Sequence, residues 1–270
     1  MSDQDTKLGA WAKFKALPID STPKTLLVAF SLCLFCSMIV SGAAVYLKPV
    51  QEANKALDKK KNVLQVAGLY SPDVDIDEVF KQIEIKIVDL KTGRYTDVVN
   101  AQTYDQKAAS KDPSMSIVLT NDPASIKRQA KYASVYIVPT SDGSIDKIIL
   151  PIHGYGLWST LYGFIAIKSD GNEIAGLQFY EQGETPGLGA EVDNPIWRAK
   201  WPGQKVYGDD GKVKISVSKN PKPAGEAGRF HVDALAGATL TSRGVDNLVK
   251  FWMGEQGFKL FLDNLKNGSL

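Results

Sequence analysis

Cysteine is nearly absent from this 270-residue chain: only Cys33 and Cys36 occur, and nothing after residue 36 carries a thiol. That excludes a disulfide scaffold and a thiolate metal site from everything that follows. Histidine is as scarce, with only His153 and His231, so a histidine-rich metal site is not expected. Neither sign of charge is in excess, because 32 Lys and Arg nearly cancel 30 Asp and Glu and leave a formal net charge of +2. No nucleic-acid partner is implied by such a balance. Internal repeats and low-complexity segments are missing too, as is the glycine fingerprint of a nicotinamide-binding turn. Chemistry in this chain therefore falls to carboxylates, hydroxyls or a bound organic cofactor.

What is present begins with an apolar run. Residues 25–47, TLLVAFSLCLFCSMIVSGAAVYL, carry no charge at neutral pH. At about 1.5 Å of rise per residue they are long enough to cross a hydrocarbon core of about 30 Å. A helix is the form that satisfies its own backbone in lipid. A cleaved signal is the rival reading, since Ser41-Gly42-Ala43-Ala44 has the small residues of a cleavage site. The 24 residues before the run include Asp3, Asp5 and Asp20, unlike a short basic signal start, so an anchor is expected. Lys7, Lys13, Lys15 and Lys24 precede the run and Lys48, Lys55, Lys59, Lys60 and Lys61 follow it. The positive-inside count leaves the orientation open. Cys33 and Cys36 share a helix face. With no third or fourth ligand in the chain, they read as small apolar fillers rather than as a metal or cluster pair.

After Pro49, residues 51–62 form a helical stalk that is expected to continue through 63–67. Alternation of apolar and charged residues over 83–90, ending in Lys91-Thr92-Gly93-Arg94, predicts a strand and a turn. Residues 132–138 and 145–150 read as strands around Ser141-Asp142-Gly143, and 164–167 and 174–180 as strands around Asp170-Gly171. One more strand is expected at 213–217. Residues 245–265 have helical apolar spacing, interrupted at Gly254 and Gly257. The fold class is α+β: a single N-terminal transmembrane helix, then a domain of mostly antiparallel strands with flanking helices.

Three segments stand out chemically. In residues 233–242, DALAGATLTS, a turn of small residues runs into hydroxyl residues and then into the C-terminal helix. Thr241 or Ser242 is the expected N-cap. The pattern fits a capped helix behind a glycine turn, and it equally fits an anion site at a helix start. In Gly154-Tyr155-Gly156-Leu157-Trp158-Ser159, glycines beside aromatics suit either a strand-connecting turn or close approach to a flat ring system. In Glu181-Gln182-Gly183-Glu184-Thr185-Pro186-Gly187-Leu188-Gly189, turn-forming residues make an ordered loop, of surface or of binding type.

Residues 235–242 resemble the flavinylation motif of a bacterial family in which a threonine is esterified to the phosphate of FMN. Asp233, Gly237, Ala238 and Thr239 match it, whereas Ala236 stands where the family usually has Ser or Thr. Together with HGYGLWS at 153–159 and ETPGLG at 184–189, the whole chain resembles the C-subunit family of the sodium-translocating NADH:quinone oxidoreductases. The resemblance implies an electron-transfer subunit of that translocase, with FMN in phosphoester linkage to Thr239 and Thr241 as the runner-up acceptor. It implies that Gly237, Ala238, Leu240, Thr241, Asp233, Tyr155 and Ser159 belong to the flavin site. Leu157, Trp158 and Leu188 would wall the ring, Glu184 and Thr185 would offer polar contacts, and Lys219 would place a cation near the pyrimidine edge. It further implies a cytoplasmic tail over 1–24, an inner-membrane helix over 25–47 and a periplasmic FMN-binding domain over 48–270. A separate flavin transferase loads the cofactor, and the other membrane subunits handle NADH, quinone and sodium. The alternatives are the flavinylated G subunit of an Rnf electron-transport complex and a cofactor-free, membrane-tethered binding module.

Overall fold

The computed structural model describes residues 10–18 and 21–270. Asp3, Asp5, Lys7 and Asp20, which bear on the N-terminal tail, lie outside them. Contacts divide the chain into two units, Met1–Ala56 and Leu57–Leu270.

In the first unit, α1 (Ala10–Ala16) precedes the start of α2 (Thr22–Ala67), and Lys24 Nζ donates to the carbonyls of Lys15 and Leu17 at 2.9 and 2.5 Å. The expected apolar run and stalk form one 46-residue helix that continues through Pro49. Its large apolar residues from Leu26 to Val50 are exposed, and its length and composition suffice to cross a membrane. Cys33 and Cys36 are free and exposed on it.

The second unit is built on a sheet. Its elements in chain order are α3 (Ile76–Phe80), β1 (Glu84–Asp89), β2 (Arg94–Tyr95), α4 (Gln106–Ala109), β3 (Ser116–Val118), β4 (Arg128–Ala130), β5 (Tyr132–Pro139), β6 (Ile145–Tyr155), β7 (Thr160–Lys168), β8 (Ile174–Glu181), α5 (Pro195–Arg198), β9 (Ser216–Ser218), β10 (His231–Asp233), α6 (Thr239–Met253) and α7 (Lys259–Lys266). Six strands pair in the order β2-β1-β5-β6-β7-β8, every neighbour antiparallel. The expected strands are present, and β6 and β7 run several residues past the expected bounds. Of the strand expected at 213–217 only Ser216 and Val217 pair in a ladder, as part of β9, which runs parallel to β10; Val213 makes an isolated bridge to Tyr207.

Both faces of the sheet are covered, which is why its inner strands read as apolar runs. On one face Ile148, Leu150 and Ile152 of β6 and Leu161, Ile165 and Ile167 of β7 pack with Trp201, Val245, Leu248, Trp252, Phe258 and Phe261. On the other, Ile149, Phe164, Ala166 and Tyr136 pack with Val63, Leu64, Val66 and Ala67 from the last turns of α2. The period of two along each strand delivers alternate residues to the two layers. The helix expected over 245–265 is indeed two helices. At the break, a Cβ on Gly257 would lie 2.1 Å from the Trp252 carbonyl oxygen, so the chain can turn there only without a side chain.

A similar constraint docks the β1–β2 turn on α7. Gly93 has φ +63°, its carbonyl accepts from Asn264 Nδ2 at 2.9 Å, and a Cβ there would lie 2.6 Å from the Leu260 carbonyl carbon. Gly143, in the β5–β6 turn, has φ +85° and open space around it. Gly143→Ala therefore costs the left-handed strain alone, about 1–2 kcal/mol. Gly93→Ala adds an overpacking cost of about 1–3 kcal/mol. Denaturant unfolding of the two variants checks this, and equal losses of stability would refute the docking constraint.

Candidate functional site

The three chemically marked segments meet at the start of α6. That helix packs its apolar face on the sheet, and Gly244 lets its backbone cross the end of β6. A Cβ on Gly244 would lie 2.5 Å from the Tyr155 carbonyl oxygen and 2.9 Å from Gly156 Cα. Gly154 does the same opposite Leu248, with 2.5 Å to its Cβ. These contacts bring the β6–β7 connection, residues 156–159, against the first turns of α6.

The helix start differs from the expected one. Its N-cap position is Ala238, with φ −119° and ψ 57°, and no side chain caps it. Thr241 and Ser242, the expected caps, lie inside the first turn and bond elsewhere. Ser242 Oγ donates to the Ala238 carbonyl and accepts from Leu235 N–H, both at 2.9 Å, and so ties the turn of residues 235–238 back onto the helix. Gly237 supplies the positive φ of that turn, +72°. The N–H groups of Thr239, Leu240 and Thr241 have no partner among the described residues, as expected of a helix end without a cap.

Glu184 holds the three segments together. It is 5% exposed, and its carboxylate accepts from the N–H groups of Leu157, Trp158 and Ser159 at 2.9–3.2 Å. It also accepts from Thr241 Oγ1 at 2.7 Å. Burial pushes the Glu184 carboxyl up, but the bonds from Thr241 and from the backbone of Trp158, Leu157 and Ser159 outweigh it and hold it below its ordinary value. Ser159 Oγ accepts from Gly183 N–H at 2.7 Å and closes the same loop from the other side. Gly189 is packed so tightly beside this knot that a Cβ would lie 2.5 Å from Thr241 Oγ1. Glu184 thus has little capacity left for a ligand. The polar contact expected of it is redirected into shaping the site.

The two threonines are told apart by their surroundings. Thr241 is 1% exposed and its hydroxyl is committed to Glu184. Thr239 is half-buried, and its hydroxyl has no hydrogen-bond partner among the described residues. On the segments that meet this helix start, Leu157, Trp158, Leu188, Leu240 and Tyr155 are 36, 67, 45, 50 and 44% exposed. Leu188 Cδ2 would stand 3.2 Å from a Cβ on Gly237, which places that side chain beside the turn before Thr239. The arrangement offers a free hydroxyl, three unpaired N–H groups and apolar side chains open to solvent. Chemically it suits an anion joined to a flat apolar body.

Other expected residues stand further off. Asp233 ends β10 with its carboxylate on Lys200 at 2.8 Å and His231 at 3.2 Å, and Lys200 first, then His231, holds it below its ordinary value against the opposing effect of burial. Its carbonyl accepts from Trp197 Nε1 at 2.8 Å, so it anchors the strand from which the turn departs. Lys219 is exposed just beyond β9, whose Ser218 carbonyl accepts from Ala234 N–H at 2.9 Å. Thr185 is exposed, and its carbonyl serves the turn at Leu188 and Ala190. Sequence reasoning missed Gly189 and Gly244. Their glycine character was visible, but not the backbone each one must admit.

A family model described as "FMN-binding domain" matches residues 156–254, a span that contains the knot of Glu184 and the whole start of α6. The Na(+)-translocating NADH-quinone reductase C-subunit of Pseudomonas aeruginosa is 50% identical over 256 residues, covering 92% of this chain and 98% of the relative. Its counterpart in Vibrio vulnificus is 49% identical over 254 residues, covering 93% and 98%. Among solved structures, the crystal structure of Shewanella oneidensis NqrC superposes with a TM-score of 0.74 at 34% identity, over 79% of this chain and 99% of that one.

The Glu184 knot has a pH consequence. A carboxyl held below its ordinary value contributes its full stability above the ordinary carboxylate range and loses it as pH falls toward the depressed folded value. Glu184→Gln leaves buried N–H groups without a full set of acceptors and is expected to cost about 1–3 kcal/mol at neutral pH. The gap to the unaltered chain is expected to close as pH falls through the carboxylate range. A gap that stays constant with pH in denaturant titrations would show that the carboxylate charge is not what holds the loops.

Proposed function

Because the chain belongs to the C-subunit family of the sodium-translocating NADH-quinone reductases, we propose that it is a membrane-anchored electron-transfer subunit of such a complex and carries FMN covalently on Thr239. The Rnf G subunit, the nearest alternative, has no feature in its favour beside relatives at half identity along nearly the whole chain.

The observation that carries the reading is the contrast between the two hydroxyls. Thr239 is half-buried at an open helix start and its Oγ1 has no hydrogen-bond partner among the described residues, whereas Thr241 is buried and its Oγ1 donates to Glu184. The residues fit FMN. The unpaired N–H groups of Thr239, Leu240 and Thr241 suit the phosphate, and the helix dipole favours its remaining negative charge. Leu157, Trp158, Leu188 and Leu240 supply exposed apolar surface suited to the isoalloxazine. Thr185 and Ser159 stand at the edge of that surface, and Lys219 flanks the entry to the 234–238 turn.

When bound, FMN supplies electron transfer, and the protein's task is to hold and tune it. Thr239 contributes the ester oxygen, which removes the dissociation equilibrium that a soluble cofactor would face. Ala236, Gly237 and Ala238 keep the approach to that oxygen free of bulk. Ala236 is not the attachment point, so its departure from the family's usual Ser or Thr is expected to slow or weaken flavinylation at most. Glu184 keeps Thr241 from competing as acceptor and fixes the loop that bears Leu157 and Trp158. The apolar residues of 25–47 anchor the chain with its N-terminus cytoplasmic and its flavin domain periplasmic, in reach of the redox groups of the other membrane subunits. Those partners bind NADH and quinone, and a flavin transferase attaches the FMN.

Co-expression of the full chain with a flavin transferase tests this. After denaturation the chain is expected to fluoresce in a gel and to gain the mass of one FMN less water. Thr239→Ala loses both signals, while Thr241→Ala keeps the label and loses stability. A label that survives in Thr239→Ala would overturn the site, and no label on the unaltered chain would overturn the flavin reading.

A further inference from the structure

The start of α6 holds a charge arrangement that makes little sense without an anion. Its first turn has no acidic residue and no side-chain cap, so its positive end is uncompensated on the outer side. Glu184 touches only the inner side of this turn, through Thr241, and it is already shared among five donors. The one charged side chain in the first two turns is then a cation. Arg243 follows Thr239 by four residues and is exposed. It makes no hydrogen bond or ion pair among the described residues. Helical side chains lean toward the N-terminus and cover the turn before their own Cα. From position 243 the guanidinium is within reach of the turn that begins at Thr239, where it and the dipole repel.

The acidic residues nearest to it in sequence are engaged elsewhere. Asp246, three residues on, accepts from Val217 N–H at 2.8 Å and from Lys250 Nζ at 2.8 Å. Asp233 is held by Lys200 and His231. A cation beside an uncapped helix start, with no ion-pair partner among the described residues, is a local conflict of the kind that functional sites retain.

We propose that Arg243 is the counter-ion of the ester phosphate, a positioning residue that neutralises the negative charge left on the phosphodiester at Thr239. The inference rests on the flavin reading above and adds to it a residue that no motif marks. A guanidinium offers paired N–H groups to phosphate oxygens. Together with the backbone N–H groups of the first turn it would surround the phosphate and hold the first atoms of the attached group against α6.

The test exploits a reversal of sign. In the unloaded full chain, made without flavin transferase, Arg243→Gln removes a repulsion and is expected to raise the melting temperature by about 1–2 °C. In the loaded chain the same substitution removes an attraction and is expected to lower it by about 1–3 °C. Arg243→Lys should behave like the unaltered chain in the unloaded state and keep part of the loaded stability. The loaded-state effect should shrink at high salt, since the pair is exposed. A shift of the same sign in both states would overturn the proposal, because a side chain with only a structural role does not sense the phosphate. An unaltered chain that never takes up flavin would overturn the flavin reading first, and this inference with it.

Discussion

One buried carboxylate organises the functional end of this molecule. Glu184 gathers three backbone N–H groups of the 157–159 connection and the hydroxyl of Thr241. An ionised carboxylate can be buried only when its lone pairs are met in this way. The same requirement makes the glycines around it obligatory. Gly156 and Gly189 leave room for its oxygens, where a Cβ would stand 2.7 Å away in each case. Loops that would otherwise wander are thereby held at fixed positions beside the start of α6. The exposure of Leu157, Trp158 and Leu188 is then an ordered exposure, a presented surface and not a loose one.

Behind that surface stands a sheet covered on both sides. The final turns of α2 close one face and α6 with α7 close the other. Helix α6 therefore belongs to the core and to the site at once. Its buried stripe of Val245, Leu248, Val249 and Trp252 fixes where the helix lies, and its first turn inherits that position. The open N–H groups owe their location to packing two and three turns away.

Sequence patterning reveals the long elements well because their periodicities are strong. The run of 25–47, the strands β1 and β5 to β8, and the two-part C-terminal helix are all legible from spacing. The short strands β2, β3, β4 and β10 are not, for two or three residues carry no period. The joining of the apolar run and the polar stalk into a single helix is obscured by Pro49. At the site, residue chemistry alone leaves Thr239 and Thr241 as neighbours of equal standing. The family resemblance favours the first. The physical ground for that choice lies in a partner 57 positions upstream of Thr241, which no local window contains. The capping expectation fails for a separate reason: the helix begins at Thr239, so Thr241 lies inside its first turn and not at the N-cap position.

That separation in sequence also bears on how the molecule assembles. Strands β5 to β8 form a meander in which each pairs with the next in the chain, so their closure entropy is small. The Glu184 knot must instead join residues from 157 to 241, and its donors are worth little until the sheet and α6 are in place. Contact separation of this kind puts the sheet early and the knot late. The Thr239 hydroxyl is then presented in its final setting only by a chain that has finished folding. Chemical marking of that residue would amount to a certificate of completed assembly, issued after the last loop has locked.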